Sequence, residues 1–459
     1  MSLRTQVLRG GAYLVVRHGL GLVLSFANLF LVTGIIGPSA YGVYASALGL
    51  VNFVVQLASL GVSVYLVRSP SLDEKDYQVA LALYSWISLA FIVLAFPIGK
   101  ILEVYTNIAG LSWVITVLFL GAPVFLIGRV FLAKLERTLD FAHVGVAELV
   151  GSLAYFLVAV FLAWQGWGYW APALGWLVSQ GVTTLLYARF APVPLRPRWL
   201  WERVRAMLAY GMGFSMSFSV WQMRGLVLPI VVAPLVGSQG VGYVALAIRL
   251  VEALSFVKSA TWRVSMSALA RVQGDSVRLR RAVEEGIYLQ VLLLGPFLLA
   301  FAWLGPWLVP RLLGQAWYDL LLIYPFIALA YLVNAAFSLH SSALYVLRCN
   351  WKVAVFHLVH VAILFLAAWW FVGRLGFIGY GIAEIVAFTS YVVIHRYLIS
   401  VLGPLNYRGL LWVGLAFGLP LFYHSLGVWT LLPLVFWMIN PGTWRLIASY
   451  AKAFGGKHG

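Results

Sequence analysis

Long apolar runs dominate the pattern of positions along the chain. Residues 20–36 and 291–304 contain few polar positions and no period-two alternation, which is the signature of barrel strands. Lipid gives backbone amides no hydrogen-bond partner, so only helices and closed barrels span a membrane. A spanning helix needs about 20 residues. The pattern therefore predicts an all-α polytopic membrane protein.

The apolar runs divide into 14 predicted transmembrane helices, of which the last two are short. We expect two six-helix bundles at residues 1–190 and 206–400, joined by a basic cytoplasmic linker at 191–205. Two short extra helices and a cytoplasmic tail follow at 401–459. The predicted helices are 11–35, 40–67, 78–99, 108–133, 141–164, 169–190, 206–236, 241–266, 283–309, 318–347, 353–371, 378–399, 409–423 and 426–439.

The chain contains an internal repeat with an offset of 200 residues. Residues 37–51 read GPSAYGVYASALGLV, and residues 237–251 read GSQGVGYVALAIRLV. The shared glycines fall at matching helix ends. Six helices in each copy is an even number, so both copies have the same orientation. This is the parallel-repeat plan of transporters, which predicts two pseudo-symmetric bundles with a substrate site between them.

Composition and charge support the membrane assignment and give the orientation. The chain is 63% hydrophobic and 10% charged, whereas soluble domains are about 45–50% apolar and about 25% charged. With the N-terminus inside, only Lys100, Arg311 and Arg374 of the 31 basic residues fall outside, and three lie within spans. This positive-inside asymmetry explains the net charge of +17 without nucleic acid, and it places both termini in the cytoplasm.

Charged residues inside the predicted spans are the candidates for function, since a charge at the bilayer centre costs about 2.5 kcal/mol or more. Arg249 lies about 14 Å from the outer end of its helix, near the midplane. Arginine pairs with phosphate oxygens in a planar fork, so a cationic cavity for a diphosphate is predicted. Glu252, one turn after Arg249, leaves open simple neutralisation of that charge. The six charges are Arg17, Arg224, Arg249, Glu148, Glu252 and Glu384.

Further polar groups accompany these charges. Asn52 is the repeat equivalent of Glu252, and Asn52 and Gln56 predict a polar cavity wall or, alternatively, interhelical hydrogen bonds. Glu148 and Glu384 are candidates for ion coupling, or structural partners of arginine. The sequence has neither a P-loop nor an H-E-x-x-H motif, so no cofactor and no metal are predicted.

Several of these segments resemble bacterial polysaccharide and O-antigen flippases of the multidrug/oligosaccharidyl-lipid/polysaccharide exporter superfamily. The resemblance lies in residues 37–45, Asn52 and 60–68, in Gln222-Met-Arg224 where the family often has Asp-Arg, in 242–250, and in 266–271. It implies alternating access without ATP in a bacterial inner membrane. The implied substrate is a lipid-linked oligosaccharide contacted by Arg17, Arg249 and Arg224. Implied partners are membrane lipids, a polysaccharide polymerase and other biosynthesis proteins.

Three functions compete at this point. The first is a flippase for a polyprenyl-diphosphate-linked oligosaccharide, which is a transporter and not an enzyme. The second is a drug/cation antiporter of the same superfamily, which should favour a carboxylate-rich, arginine-poor cavity. The third is a membrane glycosyltransferase or polymerase, which needs catalytic carboxylates in a sizeable outside loop. Because three arginines lie within spans and no outside loop is long, the sequence favours the flippase.

Overall fold

The computed structural model describes residues 3–256, 258, 269–445 and 448, with the side chains of 3–20, 22, 23, 25 and 212–218 excepted. Every regular element in these residues is helical. In chain order the helices are α1 (Leu3–Ala58), α2 (Val62–Arg68), α3 (Glu74–Thr106), α4 (Leu111–Arg137), α5 (Phe141–Trp164), α6 (Trp170–Phe190), α7 (Trp201–Gln222), α8 (Ala233–Leu254), α9 (Ser276–Leu312), α10 (Leu320–Val346), α11 (Asn350–Leu375), α12 (Ile378–Val386), α13 (Tyr391–Leu402), α14 (Arg408–Gly418), α15 (Tyr423–Leu426) and α16 (Leu432–Ile439).

Ten helical stretches of the described residues are long and apolar enough to cross a membrane. Two of these stretches, Phe26–Ala58 and Ser219–Leu254, each contain a non-helical glycine and so comprise two helices. With α6 and the short apolar stretch Val428–Ile439 added, the helices match the predicted 14. The all-α polytopic fold class is therefore confirmed.

The two non-helical glycines occupy the same position of the repeat. Gly37 has φ 77° and ψ 171°, and Gly237 has φ 66° and ψ −174°. A residue with a Cβ rarely adopts such a conformation, whereas glycine does so without steric cost. The two halves therefore share a backbone break between their first two helices, as the repeat predicts.

The repeat also produces a reciprocal contact beside these breaks. A Cβ added at Gly42 would lie 1.7 Å from the carbonyl oxygen of Ser238, and one added at Gly242 would lie 2.1 Å from that of Pro38. Ser238 and Pro38 are themselves equivalent at the 200-residue offset. Each copy thus packs its glycine on the same backbone position of the other, as a twofold relation requires.

The chain divides into two compact units. Unit 1 comprises Met1–Leu246, Val309–Asp319 and Leu364–Tyr380. Inside it, the fully buried Trp317 donates its Nε1–H to the carbonyl oxygen of Thr33 at 3.0 Å. Unit 2 comprises Ala247–Leu308, Leu320–Ile363 and Gly381–Gly459. Inside it, the buried hydroxyl of Tyr324 donates to the carbonyl oxygen of Leu298 at 2.9 Å.

Several predicted helix bounds need correction, each for a local reason. The predicted helix 40–67 is interrupted after Ala58, because Leu60 and Gly61 have φ of 48° and 68°. The helix predicted to begin at residue 283 begins at Ser276, because Asp275 Oδ1 accepts from two backbone amides of the first turn at 3.0 Å each. The predicted helix 241–266 extends into residues 259–268, which lie outside the described residues.

An ion-pair cluster holds the end of the basic linker to the start of α3, within unit 1. Helix α7 begins at Trp201, after extended backbone. Arg203 Nη2 lies 3.0 Å from Asp73 Oδ2, and its Nη1 lies 2.9 Å from Asp76 Oδ1. Hydrogen bonding from Arg203 lowers the pKa of Asp73 to about 2. Asp73 also caps α3, so one carboxylate joins the linker to that helix.

Candidate functional site

Unit 1 contains a polar cavity of about 100 Å³, called here the amide cavity. Three side-chain carboxamides face it, together with two aromatic rings. Asn52, Val55 and Gln56 are spaced by three and four residues, so they share one face of α1. The cavity is lined by Asn52, Val55, Gln56, Phe125, Trp176 and Gln222.

Irregular backbone positions the third amide. Gln222 ends α7, and a 3₁₀ turn at Met223–Leu226 and a π turn at Leu228–Val232 follow it. Pro229 lies within the π turn and has no N–H to continue the helical ladder. A Cβ added at Gly49 would lie 2.7 Å from the carbonyl oxygen of Gly225. This close approach brings the end of α7 against the face of α1 that carries Asn52.

Two arginines stack on aromatic rings near this cavity. One ring belongs to a lining residue, and the other to a residue adjacent in sequence to a lining residue. The Arg129 guanidinium carbon lies 4.8 Å from the centroid of the Phe125 ring, which lines the cavity. The Arg224 guanidinium carbon lies 4.7 Å from the Trp221 ring, next in sequence to Gln222. Such cation–π contacts hold the guanidinium in place without neutralising its charge. Arg17 belongs to α1, but its side chain lies outside the described residues.

Unit 2 contains a group of linked polar side chains, called here the ionic cluster. Arg249 Nη1 lies 3.2 Å from Glu252 Oε2, and the Tyr331 hydroxyl donates to Glu252 Oε1 at 3.0 Å. Asn334, one turn after Tyr331 on α10, accepts a hydrogen bond from the Lys258 ammonium. The cluster is defined as Arg249, Glu252, Lys258, Tyr331, Asn334 and Tyr391.

The ionic cluster combines two cations with one carboxylate. The Lys258 ammonium also lies 5.7 Å from the centroid of the Tyr331 ring, which ties it to the Glu252 side of the cluster. The Asn334 amide donates to the Tyr391 hydroxyl at 2.8 Å. The Arg249 side chain is 49% exposed despite its pairing with Glu252. The guanidinium is therefore accessible to a second anion.

The structure brings together only part of the predicted site. Asn52 and Gln56 line one cavity, and Arg249 contacts Glu252 in unit 2. Glu148 on α5 is exposed and lies 3.4 Å from the Tyr187 hydroxyl, apart from the amide cavity lining. Glu384 is buried on α12, just before a 3₁₀ turn at Ala387–Ser390. Within the described part of the chain, no three metal-binding side chains come together.

Sequence reasoning missed several residues of these sites. Lys258 was assigned to a cytoplasmic segment, although it follows Arg249 by nine residues on the same predicted helix, about 14 Å further along. Arg129 was likewise assigned to the inside, and Phe125, Trp176 and Gln222 were not considered for the cavity. The positions of these residues along their helices were readable from the helix bounds. The rotation of Phe125, Trp176 and Gln222 toward α1 depends on packing between helices, for which the sequence has no pattern.

The fold is that of a known transporter class. The lipid II flippase MurJ in its inward closed conformation superposes with a TM-score of 0.73 at 12% identity, covering 96% of this chain and 98% of that one. A multidrug resistance MATE family transporter of the MOP superfamily, inward-facing, gives 0.68 at 17% identity, covering 84% and 98%. The described helices, with the backbone breaks at Gly37 and Gly237, therefore form the fold that these transporters share.

Sequence comparison narrows the class to a family. The family described as polysaccharide biosynthesis protein matches residues 31–322, and the chain belongs to it. The lipopolysaccharide biosynthesis protein WzxC of Escherichia coli (strain K12) is 22% identical over 325 residues. That alignment covers 69% of this chain and 65% of WzxC, so the chain matches less than two thirds of its relative's length.

Proposed function

We propose that this protein flips a polyprenyl-diphosphate-linked oligosaccharide from the cytoplasmic to the outer leaflet by alternating access, for cell-surface polysaccharide synthesis. The observation that supports this function best is the ionic cluster, in which the two cations Arg249 and Lys258 occur with one carboxylate, Glu252, which pairs with Arg249. A diphosphate carries about two negative charges and needs cationic partners inside a membrane. A cation exporter needs the opposite balance of charge.

The geometry of the cluster suits a diphosphate. Arg249 offers the planar fork that pairs with two phosphate oxygens, whereas Lys258 offers a compact point charge. Tyr331 donates to Glu252 and Asn334 accepts from Lys258, so both hold charged groups without adding charge. The pairing with Glu252 keeps Arg249 partly neutralised when no substrate is bound, which lowers the cost of a charge within the span. Arg17 and Arg224 remain candidates for further phosphate contacts.

The proposed setting is a bacterial inner membrane with both termini in the cytoplasm. The bundles proposed for alternating access are residues 1–190 and 206–400. Polysaccharide polymerase and the other biosynthesis proteins are the proposed partners, because they would consume or supply the same lipid. Glu148 and Glu384 are the proposed sites of any ion coupling.

The function is tested by flipping in proteoliposomes, using undecaprenyl diphosphate that carries a short oligosaccharide. Arg249→Ala should lower the rate about tenfold to a hundredfold, because it removes a charge-assisted hydrogen bond to phosphate. Arg249→Lys should keep part of the activity, since the charge remains and the fork is lost. Arg374→Ala is the matched control, because that arginine is exposed like Arg249 but stacks on Trp370 and lies outside the ionic cluster.

A double variant separates binding from simple neutralisation. If Arg249 only neutralises Glu252, then Arg249→Ala with Glu252→Ala removes both charges and should recover folding and flipping. Under the proposed function the double variant has a normal thermal midpoint in detergent and still flips slowly. Full flipping by the double variant contradicts the phosphate contact. Full flipping by Arg17→Ala, Arg224→Ala and Arg249→Ala separately contradicts the cationic cavity, and the absence of flipping by the wild-type chain contradicts the function itself.

A further inference from the structure

We propose that the amide cavity of unit 1 is a saccharide subsite, which holds one sugar residue of the transported lipid. The inference rests on the proposed function and adds to it a second binding site of different chemistry. The site is uncharged and directional, whereas the ionic cluster is charged. It assigns recognition of the sugar to unit 1.

The polar chemistry of the cavity matches sugar hydroxyls. Each hydroxyl both donates and accepts hydrogen bonds, and each carboxamide offers a carbonyl acceptor beside an NH₂ donor. Asn52, Gln56 and Gln222 bring three such residues to the lining of one cavity. Among the described residues, no hydrogen bond joins any of these three amide side chains to another residue. Amides that only linked helices would bond to each other or to neighbouring side chains.

The aromatic side chains supply the other half of a sugar site. A pyranose ring has an apolar face of C–H groups, and the electron-rich face of an aromatic ring attracts them. Trp176 and Phe125 present such rings to the same cavity. The Trp176 ring packs directly against Gly121, where a side chain would not fit, because a Cβ added at Gly121 would lie 2.5 Å from Trp176 Cζ3. Arg129 covers the Phe125 ring and restricts that side chain as well.

The size of the cavity fits one sugar unit. A volume of about 100 Å³ holds several water molecules, since each needs about 10–15 Å³ by this measure. A single monosaccharide displaces about that much water, and an oligosaccharide displaces far more. The subsite therefore reads one residue of the glycan and leaves the remainder outside it. Specificity then depends on which sugar stands at that place, and not on the length of the glycan.

The test compares binding of lipids with and without a sugar to the purified full chain in detergent. The probes are undecaprenyl diphosphate alone and four lipids that each bear one sugar: a hexose, an N-acetylhexosamine, a deoxyhexose or a hexuronic acid. We expect at least one glycosylated lipid to bind several-fold more tightly than the bare lipid. Asn52→Leu and Gln222→Met keep side-chain volume, and each should reduce that preference about threefold to tenfold. Binding of the bare lipid should not change.

Two further variants complete the design. Gly121→Ala leaves every cavity amide in place but displaces Trp176, so it should lower the preference while the thermal midpoint stays measurable. Gln165→Met is the matched control, because Gln165 is exposed beyond the end of α5 and away from the cavity lining. It should keep the wild-type preference.

The outcomes separate this inference from the proposed function. If the wild-type chain binds no diphosphate lipid, the proposed function fails. If it binds the bare lipid and all four glycosylated lipids equally, the flippase assignment stands and the saccharide subsite is overturned. The subsite is also overturned if Asn52→Leu, Gln222→Met and Gly121→Ala all keep the full preference of the wild type.

Discussion

The amide cavity and the ionic cluster contain repeat-equivalent positions and differ in charge. Asn52 of the cavity lies 200 residues before Glu252 of the cluster, and Gly49 lies 200 residues before Arg249. Where unit 1 has an amide and a glycine, unit 2 has an ion pair. By contrast, the glycines that shape the backbone, Gly37 and Gly237, are the same in both halves.

The difference shows which features a duplicated membrane fold retains. The close helix approach depends on both copies, because each copy packs on the other at the Gly42 and Gly242 contact. A polar side chain facing a cavity is free of that constraint. The two halves can therefore differ in binding chemistry while they keep a common frame.

The largest effect is expected where the common frame is broken. Gly42→Ala and Gly242→Ala should each destabilise the protein by about 3 kcal/mol or more, because the added Cβ meets backbone and not a mobile side chain. Thermal unfolding in detergent measures this. Gly181→Ala, at a helical glycine with open space around it, should be neutral or stabilising. Strongly unequal effects of the two frame variants would contradict the reciprocal contact.

The next effect exchanges charge between the two regions. Glu252→Gln removes the carboxylate that occupies Arg249, so affinity for bare undecaprenyl diphosphate should rise severalfold. Asn52→Asp places a carboxylate in the amide cavity, which should weaken binding of a glycosylated lipid and repel diphosphate. Binding assays on both variants decide the matter. The proposed competition between Glu252 and phosphate for Arg249 is wrong if Glu252→Gln lowers the affinity.

A smaller effect compares one tyrosine in each unit. Tyr331→Phe removes a 3.0 Å hydrogen bond to Glu252 and should cost about 1 kcal/mol of stability. Tyr187→Phe removes a 3.4 Å contact with the exposed Glu148 and should cost less. Thermal midpoints of both variants give the comparison. An equal decrease of the thermal midpoint in both variants would contradict the prediction that the Tyr331 hydrogen bond contributes more stability than the Tyr187 contact.

The smallest effect concerns two carboxylates that cap helices outside the membrane. Arg203 lowers the pKa of Asp73 in unit 1 to about 2 from 3.8, and backbone amides lower the pKa of Asp275 in unit 2. A carboxylate whose pKa is lower in the folded state stabilises the fold at pH values above its unfolded pKa. This stabilisation is lost as the pH falls through the folded pKa. Asp73→Asn should therefore make the thermal midpoint depend less on pH between about pH 4 and pH 2. Asp275→Asn should do so less.

The fold was largely predictable from the sequence, because the bilayer imposes strong physical constraints on it. Long apolar runs must be helices, and the positions of Gly37 and Gly237 already marked the repeat. The break at Leu60 and Gly61 was not predictable, since a leucine at positive φ has no sequence signal there. A proline within a predicted helix, such as Pro229, indicates a kink or freed carbonyls, and the sequence does not show that these take the form of a 3₁₀ turn and a π turn.

The candidate site was less predictable than the fold. Asn52 and Gln56 were found because polar residues are rare in a span and because the repeat aligned one of them with Glu252. Trp176 and Phe125 were missed, because aromatic residues are common in membrane helices. Lys258 was missed because it was counted with the cytoplasmic basic residues, and its hydrogen bond to Asn334 on α10 has no sequence signal.

The reciprocal packing of Gly42 and Gly242 bears on the origin of the chain. A contact in which each partner uses the same patch on the other is the isologous interface of a C₂ homodimer. A half-length ancestor of this chain needs no new interface to assemble in pairs. Both copies in such a pair have the same sequence, so the positions that correspond to 52 and 252 carry the same side chain. With both copies on one chain, an amide and a carboxylate occupy those two places independently.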